Sequence, residues 1–197
     1  SLAPSEMCIR DRDSGMTIIE GHLFLNGKKP IQHRSSYGLG EVIKAALDNH
    51  TEHLVISLGG IGSFDGGAGM LQALGATFYD DEAQIVDMRK GAYLIKYIRR
   101  IDLSGVHPQL TKVNIQLMSD FSSRLYGKKS EIMQTYESLD LSQNEAAEID
   151  NLIWYFSELF KNELKIAMGP IERGGAGGGI AAVLNLSLIH ISDGARE

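Results

Sequence analysis

Two short glycine-rich segments are the part of this 197-residue sequence whose residue types and spacing most suggest chemistry. They are GGIGSFDGGAG at residues 59–69 and GGAGGG at residues 174–179. Glycine inside a structured element costs roughly 0.5–1 kcal/mol relative to alanine, so this density needs a physical reason. Backbone N–H groups at a turn from strand to helix can form a concave site for phosphate or carboxylate. The alternative is that the glycines only permit positive φ angles and close packing. Because two such loops are present, we favour anion binding.

Polar side chains within or near these loops could complete a site. Asp65 lies in the first loop, and Asp120 follows a predicted strand. A carboxylate at either position could hold Mg²⁺ or accept a hydroxyl proton. An Asx turn or a helix N-cap is the structural alternative for each, and Asp65 stands directly before a predicted helix. Arg34, Ser35 and Ser36 could meet an anionic substrate or could form an exposed loop.

The common nucleotide-binding signatures are matched only weakly. The run Gly127–Ser130 lacks the leading glycine of a P-loop, which favours a charged surface turn. Gly177, Gly179 and Ala182 satisfy the dinucleotide pattern GxGxxA, but no strand is evident before them. A dinucleotide-binding oxidoreductase is therefore an alternative that depends on a preceding strand.

Alternating strands and helices must position these loops. The apolar spacing predicts, in order, a helix from Gly40 to Asn49, a strand from His53 to Leu58, a helix from Ala68 to Leu74, a strand from Ala76 to Tyr79, a helix from Ala92 to Ile98, a strand from Val113 to Met118 and a helix from Gln143 to Leu164. The near-continuous apolar run of the His53 strand predicts burial on both faces. Ser142 and Glu145 predict a capping box for the last helix. This order indicates an α/β fold with a doubly wound, mostly parallel sheet and helices on both faces, whose ligands bind beyond the carboxyl ends of the strands.

Composition excludes several classes of function. With 19 basic and 25 acidic residues the formal charge is −6, which argues against a nucleic-acid surface and a polybasic membrane anchor. Every apolar run is far shorter than the roughly 18 residues of a spanning helix. The single cysteine, Cys8, cannot form an internal disulfide, and the histidines show no zinc-ligand spacing. We therefore expect a reducing, cytoplasmic setting.

The two ends of the sequence differ from its interior. Residues 1–14 show no strand or helix periodicity and lack the apolar region of a secretory signal. Residues 187–197 interrupt a helix that starts at the second glycine loop. Both resemble translated sequencing adapters, so we expect non-native segments at 1–14 and 187–197 around one partial α/β domain at 15–186.

The segment around the first glycine loop carries a specific resemblance. Residues 58–75, and DGGAGMLQALGA within them above all, resemble the glycerate kinase family, the bacterial type that phosphorylates D-glycerate with ATP. Weaker likenesses lie at residues 18–20 to its VIE, at 35–43 to SYGTGELI, at 101–105 to IDxSG, at Asp120 to CDVxNPL and at 175–182 to GAAGGLGAA.

The resemblance implies part of a longer, two-domain α/β protein that uses ATP and Mg²⁺ on the small molecule glycerate, with no nucleic acid or membrane partner. It implies substrate contacts at Arg34, Ser35, Ser36, Gly59, Gly60 and Ser63. It implies phosphate or nucleotide contacts at Gly62, Gly66, Gly67, Gly175, Gly177, Gly178 and Gly179. Asp65 and Asp120 would be catalytic, and Asp120 would be the possible Mg²⁺ ligand.

Three departures from the family pattern bear on activity. Ile61 and Phe64 replace a small polar residue and an asparagine, and residues 119–125 lose the Asn-Pro pair of CDVxNPL. The family's GPQKG appears as YESLD at residues 136–140, so its lysine is lost and acids are gained. Phosphoryl transfer depends on cations that neutralise phosphate charge, and losing one can cost orders of magnitude in rate. A module that binds ligand without catalysis is therefore the second hypothesis.

Overall fold

The computed structural model describes residues 8–11, 15–20, 29–60, 62–119 and 122–189. The strands are β1 Cys8–Asp11, β2 Met16–Glu20, β3 His53–Ser57, β4 Thr77–Tyr79, β5 Arg100–Asp102 and β6 Asn114–Met118. The α-helices are α1 Tyr37–Asp48, α2 Ala68–Ala73, α3 Glu131–Thr135, α4 Gln143–Leu164 and α5 Ile180–Ile189. Short 3-10 helices lie at Ile31–His33, Met88–Lys90, Ala92–Tyr97, Pro108–Thr111 and Tyr136–Leu139.

A four-stranded sheet in the order β1-β2-β3-β6 forms the centre of the described fold. β2 with β3 and β3 with β6 are parallel, while β1 pairs antiparallel to β2. β4 and β5 form a separate antiparallel pair. Because β3 and β6 are parallel neighbours, their carboxyl ends meet at one edge, where residues 58–60 and 119 follow them. The predicted mostly parallel α/β fold is confirmed.

The two faces of this sheet differ in burial. Leu54 and Ile56 of β3 are fully buried, whereas His53 is exposed and Val55 is half-buried. Val55 pairs in register with Gln116 of β6, which is exposed. Since alternate residues of a strand point to opposite faces, one face joins the core and the other stays accessible. The prediction that β3 is buried on both faces is therefore wrong.

Helix packing on the core face follows the predicted apolar pattern. The buried residues of α1 include Leu39, Val42 and Ile43, and α1 packs against α2. Gly40 lies at their crossing, where a Cβ would stand 2.5 Å from the carbonyl oxygen of Met70. A side chain there would separate the two helices, so glycine sets how closely they approach.

The long helix α4 has the predicted bounds. Its predicted capping box is confirmed: the Ser142 hydroxyl accepts from the Glu145 N–H at 3.3 Å, and the Glu145 carboxylate accepts from the Ser142 N–H at 2.8 Å. The predicted apolar stripe is buried over Ile149, Ile153, Phe156 and Phe160. The helix predicted from Ala92 to Ile98 is instead the 3-10 helix Ala92–Tyr97.

Regular structure extends into both segments that we expected to be non-native. β1 lies within residues 1–14 and pairs with β2 through backbone hydrogen bonds, which do not require alternating side chains. α5 continues three residues past Leu186. No helix among the described residues is long and apolar enough to cross a bilayer.

Candidate functional site

A cleft of about 200 Å³ lies at the carboxyl ends of β3 and β6. Its wall combines the end of β3, the first glycine loop, the residue after β6 and the segment from α3 to the 3-10 helix that follows it. The lining residues are Leu58, Gly59, Gly60, Gly62, Phe64, Ser119, Glu131, Thr135, Ser138 and Leu139. This is the position at which parallel α/β sheets bind their ligands.

The two glycine loops meet behind this cleft. The Gly66 N–H donates to the carbonyl oxygen of Gly178 at 3.0 Å, and a Cβ on Gly179 would lie 2.7 Å from Gly66 Cα. A Cβ on Gly178 would overlap the carbonyl oxygen of Ser63. Backbone packed on backbone leaves no room for a side chain, so close packing accounts for these three glycines without a ligand.

Other predicted phosphate-binding glycines are also packed against protein atoms. A Cβ on Gly66 would stand 3.1 Å from the Phe156 ring, and a Cβ on Gly67 would stand 3.0 Å from the Val183 side chain. One on Gly175 would overlap the carbonyl oxygen of Arg124. The packing alternative thus explains most of the glycine density.

The start of the first loop is different. Gly59 and Gly60 are exposed, and a Cβ on Gly59 would meet nothing within 4 Å. Arg34 lies beside this end of the cleft, since its Nη1 donates to the carbonyl oxygen of Gly62 at 3.2 Å. Open backbone next to a guanidinium can receive an anion. The structure therefore brings Arg34 together with Gly62, which lines the same cleft as Gly59 and Gly60.

Asp65 forms a buried junction between α1 and α2. Its Oδ2 accepts from the Ser36 N–H at 2.8 Å, from the Ser36 hydroxyl at 2.9 Å and from the Gly69 N–H at 3.2 Å. Its Oδ1 accepts from the Gly67 N–H at 3.1 Å. The Ser36 hydroxyl also accepts from the Met70 N–H at 2.8 Å. One carboxylate thus satisfies N–H groups at the beginnings of two helices, which is the capping alternative.

Burial restricts what Asp65 can contact. The residue has no exposed surface, and burial raises the pKa of its carboxyl group although the hydrogen bonds from Ser36, Gly67 and Gly69 lower it. Ser35 is also buried, and its hydroxyl accepts from the Tyr37 N–H at 3.1 Å. These side chains therefore hold helices in position in this arrangement. Direct contact of Asp65, Ser35 or Ser36 with substrate stays a prediction.

Glu131 is a cleft residue that the sequence analysis missed. It begins α3, and its Oε2 accepts from the Gly178 N–H at 3.1 Å. Burial raises the pKa of Glu131, and hydrogen bonds from the N–H groups of Gly178 and Gly177 lower it by less. A protein carboxylate thus occupies two of the N–H groups that we predicted for phosphate. The only signal in the sequence is an acid at a helix start, which is too common to be selective.

Two buried hydroxyls near the second loop have no hydrogen-bond partner among the described residues. They belong to Ser63 and Ser123, which are 6% and 3% exposed. The Ser123 Oγ lies 2.7 Å from the position of a Cβ on Gly175, so it faces that loop. Buried polar groups are usually paired, so these two hydroxyls mark a place for a further polar group.

The turn at Gly127–Ser130, which carries Lys128 and Lys129, lies outside the cleft lining. Both carboxylate oxygens of Asp150 accept from the Gly127 N–H, at 3.0 and 2.8 Å, and Lys128 and Lys129 are exposed. The segment that resembles GPQKG supplies Ser138 to the cleft wall, where the Ser138 hydroxyl donates to the carbonyl oxygen of Thr135 at 2.6 Å. The lost lysine therefore leaves a neutral wall at this point.

Two further predictions concern metal and dinucleotide binding. Asp120 lies outside the described residues, and the described ranges contain no group of three or more His, Cys, Asp or Glu side chains that could hold a metal ion. Residues 165–179, which precede α5, form turns and loop, so the strand that a GxGxxA dinucleotide turn requires is not present there.

Comparisons with known proteins agree with this geometry. A model of the glycerate kinase family matches residues 14–195. A glycerate kinase from Halalkalibacterium halodurans is 30% identical over 83% of this chain and 42% of its own length. A glycerate 2-kinase from Escherichia coli is 31% identical over 76% of this chain and 39% of its own length.

Similarity extends to three dimensions. The crystal structure of a protein assigned as glycerate kinase 2 from Salmonella typhimurium LT2 superposes with a TM-score of 0.80 and 27% identity. The superposition covers 88% of this chain and 47% of that one. This chain thus spans about two fifths of the length of the two curated relatives, at 42% and 39%. Because the family model covers nearly the whole sequence and the fold matches, the chain belongs to the glycerate kinase family.

Proposed function

We propose that the protein to which this chain contributes transfers the γ-phosphoryl group of ATP to a hydroxyl of D-glycerate. The observation that carries the proposal is the cleft at the carboxyl ends of β3 and β6, in which open glycine backbone lies beside Arg34. Family membership supplies the reaction class. A small hydroxy acid and a phosphoryl donor are both anionic, and such a cleft suits anions.

The described residues fit one anionic group well. Gly59 and Gly60 offer exposed backbone, and the Arg34 guanidinium touches the carbonyl oxygen of Gly62. These residues would hold the glycerate carboxylate or a phosphate of the nucleotide and orient it toward the centre of the cleft. The Ser63 hydroxyl, which has no partner in the described ranges, would complete the anion's hydrogen bonds after a small rotation.

Asp65, Ser35 and Ser36 contribute indirectly in this proposal. By holding the beginnings of α1 and α2 together, the Asp65 carboxylate fixes the loop at residues 62–67 in place. Pre-organised backbone lowers the cost of binding and of reaching the transition state. Asp65 is thus proposed as a positioning residue, and proton transfer by Asp65, which the family resemblance implies, is the alternative.

Magnesium and ATP enter the proposal through family membership. Mg²⁺ bound to ATP would neutralise phosphate charge during transfer. Asp120 is the residue of this chain that we propose as its ligand. Gly62, Gly66, Gly67 and Gly175 remain the proposed surroundings of the phosphates, with the packing described above leaving Gly62 the most accessible, whereas the N–H groups of Gly177 and Gly178 already bond Glu131. We also propose a cytoplasmic location and no nucleic acid partner, in line with the acidic net charge of −6.

The test uses the longer protein that contains this chain. Formation of ADP is followed with D-glycerate and Mg·ATP, for the wild type, for Arg34→Ala and for Arg100→Ala as the matched control. Arg100 stacks on the Tyr79 ring at 3.9 Å, on β5 rather than in the cleft lining. We expect Arg34→Ala to raise the KM for glycerate or ATP at least tenfold and Arg100→Ala to leave both within twofold. Absence of ADP formation by the folded wild type would refute the proposal.

A module that binds without turnover is the second candidate. Two features favour a binding module: Glu131 of α3 bonds to the second loop, and the cleft wall at Ser138 is neutral. Each weakens the neutralisation of phosphate charge. Calorimetry separates the two functions. Heat of binding for glycerate or ATP together with no ADP formation supports the binding module.

A further inference from the structure

The Glu131 carboxylate is placed where an anionic ligand would be expected. Its Oε2 lies 3.1 Å from the Gly178 nitrogen, at the end of the glycine loop that leads into α5. The N–H of Gly177 also faces it. α5 has ten residues, and the N–H groups before a helix of this length attract negative charge. Glu131 therefore supplies from within the chain what a phosphate would supply from outside.

Glu131 forms no ion pair within the described part of the chain. The ion pairs found there are Arg89 with Asp87, His107 with Asp48 and Lys161 with Glu158. Glu131 relies on backbone N–H dipoles instead. A second anion beside Glu131 would find the N–H groups of Gly177 and Gly178 already occupied. The Glu131 carboxylate would also repel it at close range, in a partly buried site where solvent screens charge weakly.

A second observation indicates that the second glycine loop can receive a further polar group. Ser123 is only 3% exposed. Its hydroxyl has no partner among the described residues and faces Gly175 of the same loop. Gly59 and Gly60 line the same cleft as Glu131 and are exposed, whereas Gly177 and Gly178 are buried, with the Gly178 N–H bonded to Glu131. The two sets of backbone N–H groups thus differ in access and in whether they are already occupied.

We propose that Glu131 is a specificity-determining residue that excludes phosphate and carboxylate groups from the Gly177 and Gly178 amides and confines them to the cleft backbone at Gly59, Gly60 and Gly62. Removing the Glu131 carboxylate frees these N–H groups for a second anion, in a loop that the Ser123 hydroxyl also faces at Gly175. This inference rests on the proposed function, since it concerns how the same cleft selects its anion. It does not require turnover.

The experiment uses the 197-residue chain and inorganic phosphate as the probe, at constant ionic strength and neutral pH. Glycine amide resonances are followed by NMR during the titration in the wild type, in Glu131→Gln and in Glu131→Ala. In the wild type we expect shifts at Gly59 and Gly60 and none at Gly177 and Gly178. In Glu131→Ala, which frees the N–H groups, we expect new shifts at Gly177 and Gly178, with phosphate affinity there at least tenfold higher than in the wild type. Glu131→Gln removes the charge but keeps an acceptor oxygen, so its gain in affinity should be smaller.

Glu163→Gln is the matched control, because Glu163 is exposed on α4 and its loss changes the net charge equally. It should behave as the wild type. Saturable shifts at Gly177 and Gly178 in the wild type would overturn the inference, and this result does not depend on any variant folding. Equal effects of Glu163→Gln and Glu131→Gln would also overturn it. Failure of the proposed function appears separately, as missing ADP formation in the longer protein.

Discussion

Replacing Asp65 by alanine tests whether this carboxylate is the joint between two helices. The substitution removes the acceptor for three buried N–H groups, those of Ser36, Gly67 and Gly69, and for the Ser36 hydroxyl. The hydroxyl can rotate toward another acceptor, whereas the N–H groups are fixed by the helices. Each backbone donor left buried without a partner costs about 1–3 kcal/mol.

The expected loss of stability is the difference between two terms. Three unsatisfied donors cost about 3–9 kcal/mol together, and removing a buried carboxylate recovers several kcal/mol of desolvation. With the donors at the middle of that range, about 6 kcal/mol, and about 3 kcal/mol recovered, the net loss is about 3 kcal/mol, which is a large share of the roughly 5–15 kcal/mol that stabilises a domain. For a chain of this size each kcal/mol lowers the Tm by about 2–4 °C, so a fall of about 10 °C is expected.

Thermal unfolding followed by circular dichroism measures this change. Asp102→Ala is the matched control, because the Asp102 carboxylate accepts from a single backbone N–H, that of Ser104 at 2.9 Å, in an exposed turn. We expect its Tm to stay within a few degrees of the wild type. Asp65→Asn keeps one acceptor oxygen, so its Tm should lie between the Tm of Asp65→Ala and that of Asp102→Ala. Equal Tm values for Asp65→Ala and Asp102→Ala would refute the capping interpretation and restore proton transfer as the main role for Asp65.

Three further predictions use the same chain. Gly178→Ala forces a Cβ onto the Ser63 carbonyl oxygen at a φ of 63° and should cost about 2–4 kcal/mol in denaturant unfolding, whereas Gly59→Ala should be nearly neutral because its Cβ meets open space. Burial raises the pKa of Glu131 above its ordinary 4.5, so its contribution to stability is complete below that pH and is lost as pH rises through the folded pKa. The Tm of Glu131→Gln minus that of wild type should therefore grow as the pH rises above 4.5, and a flat or falling difference would contradict this sign. Ser142→Ala breaks the capping box of α4 and should lower stability by about 1 kcal/mol in urea unfolding, with no change at all counting against a capping role.

The sequence was sufficient for elements whose stability is encoded locally. The start of α4 followed from Ser142 and Glu145, and its buried face followed from the 3.6-residue period of its apolar side chains. The strand from His53 followed from its apolar run, but the exposure of its second face did not. That exposure depends on the strand beside it, where Gln116 pairs with Val55, and neighbour identity is a property of topology rather than of local pattern.

The site was predictable in composition and only partly in arrangement. Glycine density identified both loops, and their convergence at the carboxyl end of β3 agrees with the parallel-sheet reasoning. The sequence alone did not separate Gly178, which is packed against the Ser63 backbone, from Gly59, which is open. It also did not reveal Glu131, because its partner Gly178 lies 47 residues away. Interactions between distant residues have no local signature in a single sequence.

Close packing and ligand binding are usually set against each other as reasons for a glycine-rich loop, but here the first makes the second possible. The backbone contacts between Gly66, Gly178 and Gly179 fix the two loops together, and this leaves the preceding residues at Gly59 and Gly60 as the exposed part of the turn. Gly66, Gly178 and Gly179 therefore help to fix the position of Gly59 and Gly60. The Asp65 carboxylate contributes to the same effect, because it accepts from the Gly67 N–H at the end of the loop. A pre-organised anion site needs such a support more than it needs additional donors, since the donors of the second loop are already occupied by Glu131. In the proposed function the two loops therefore have different roles: the second would support the first, and the first would bind the anion.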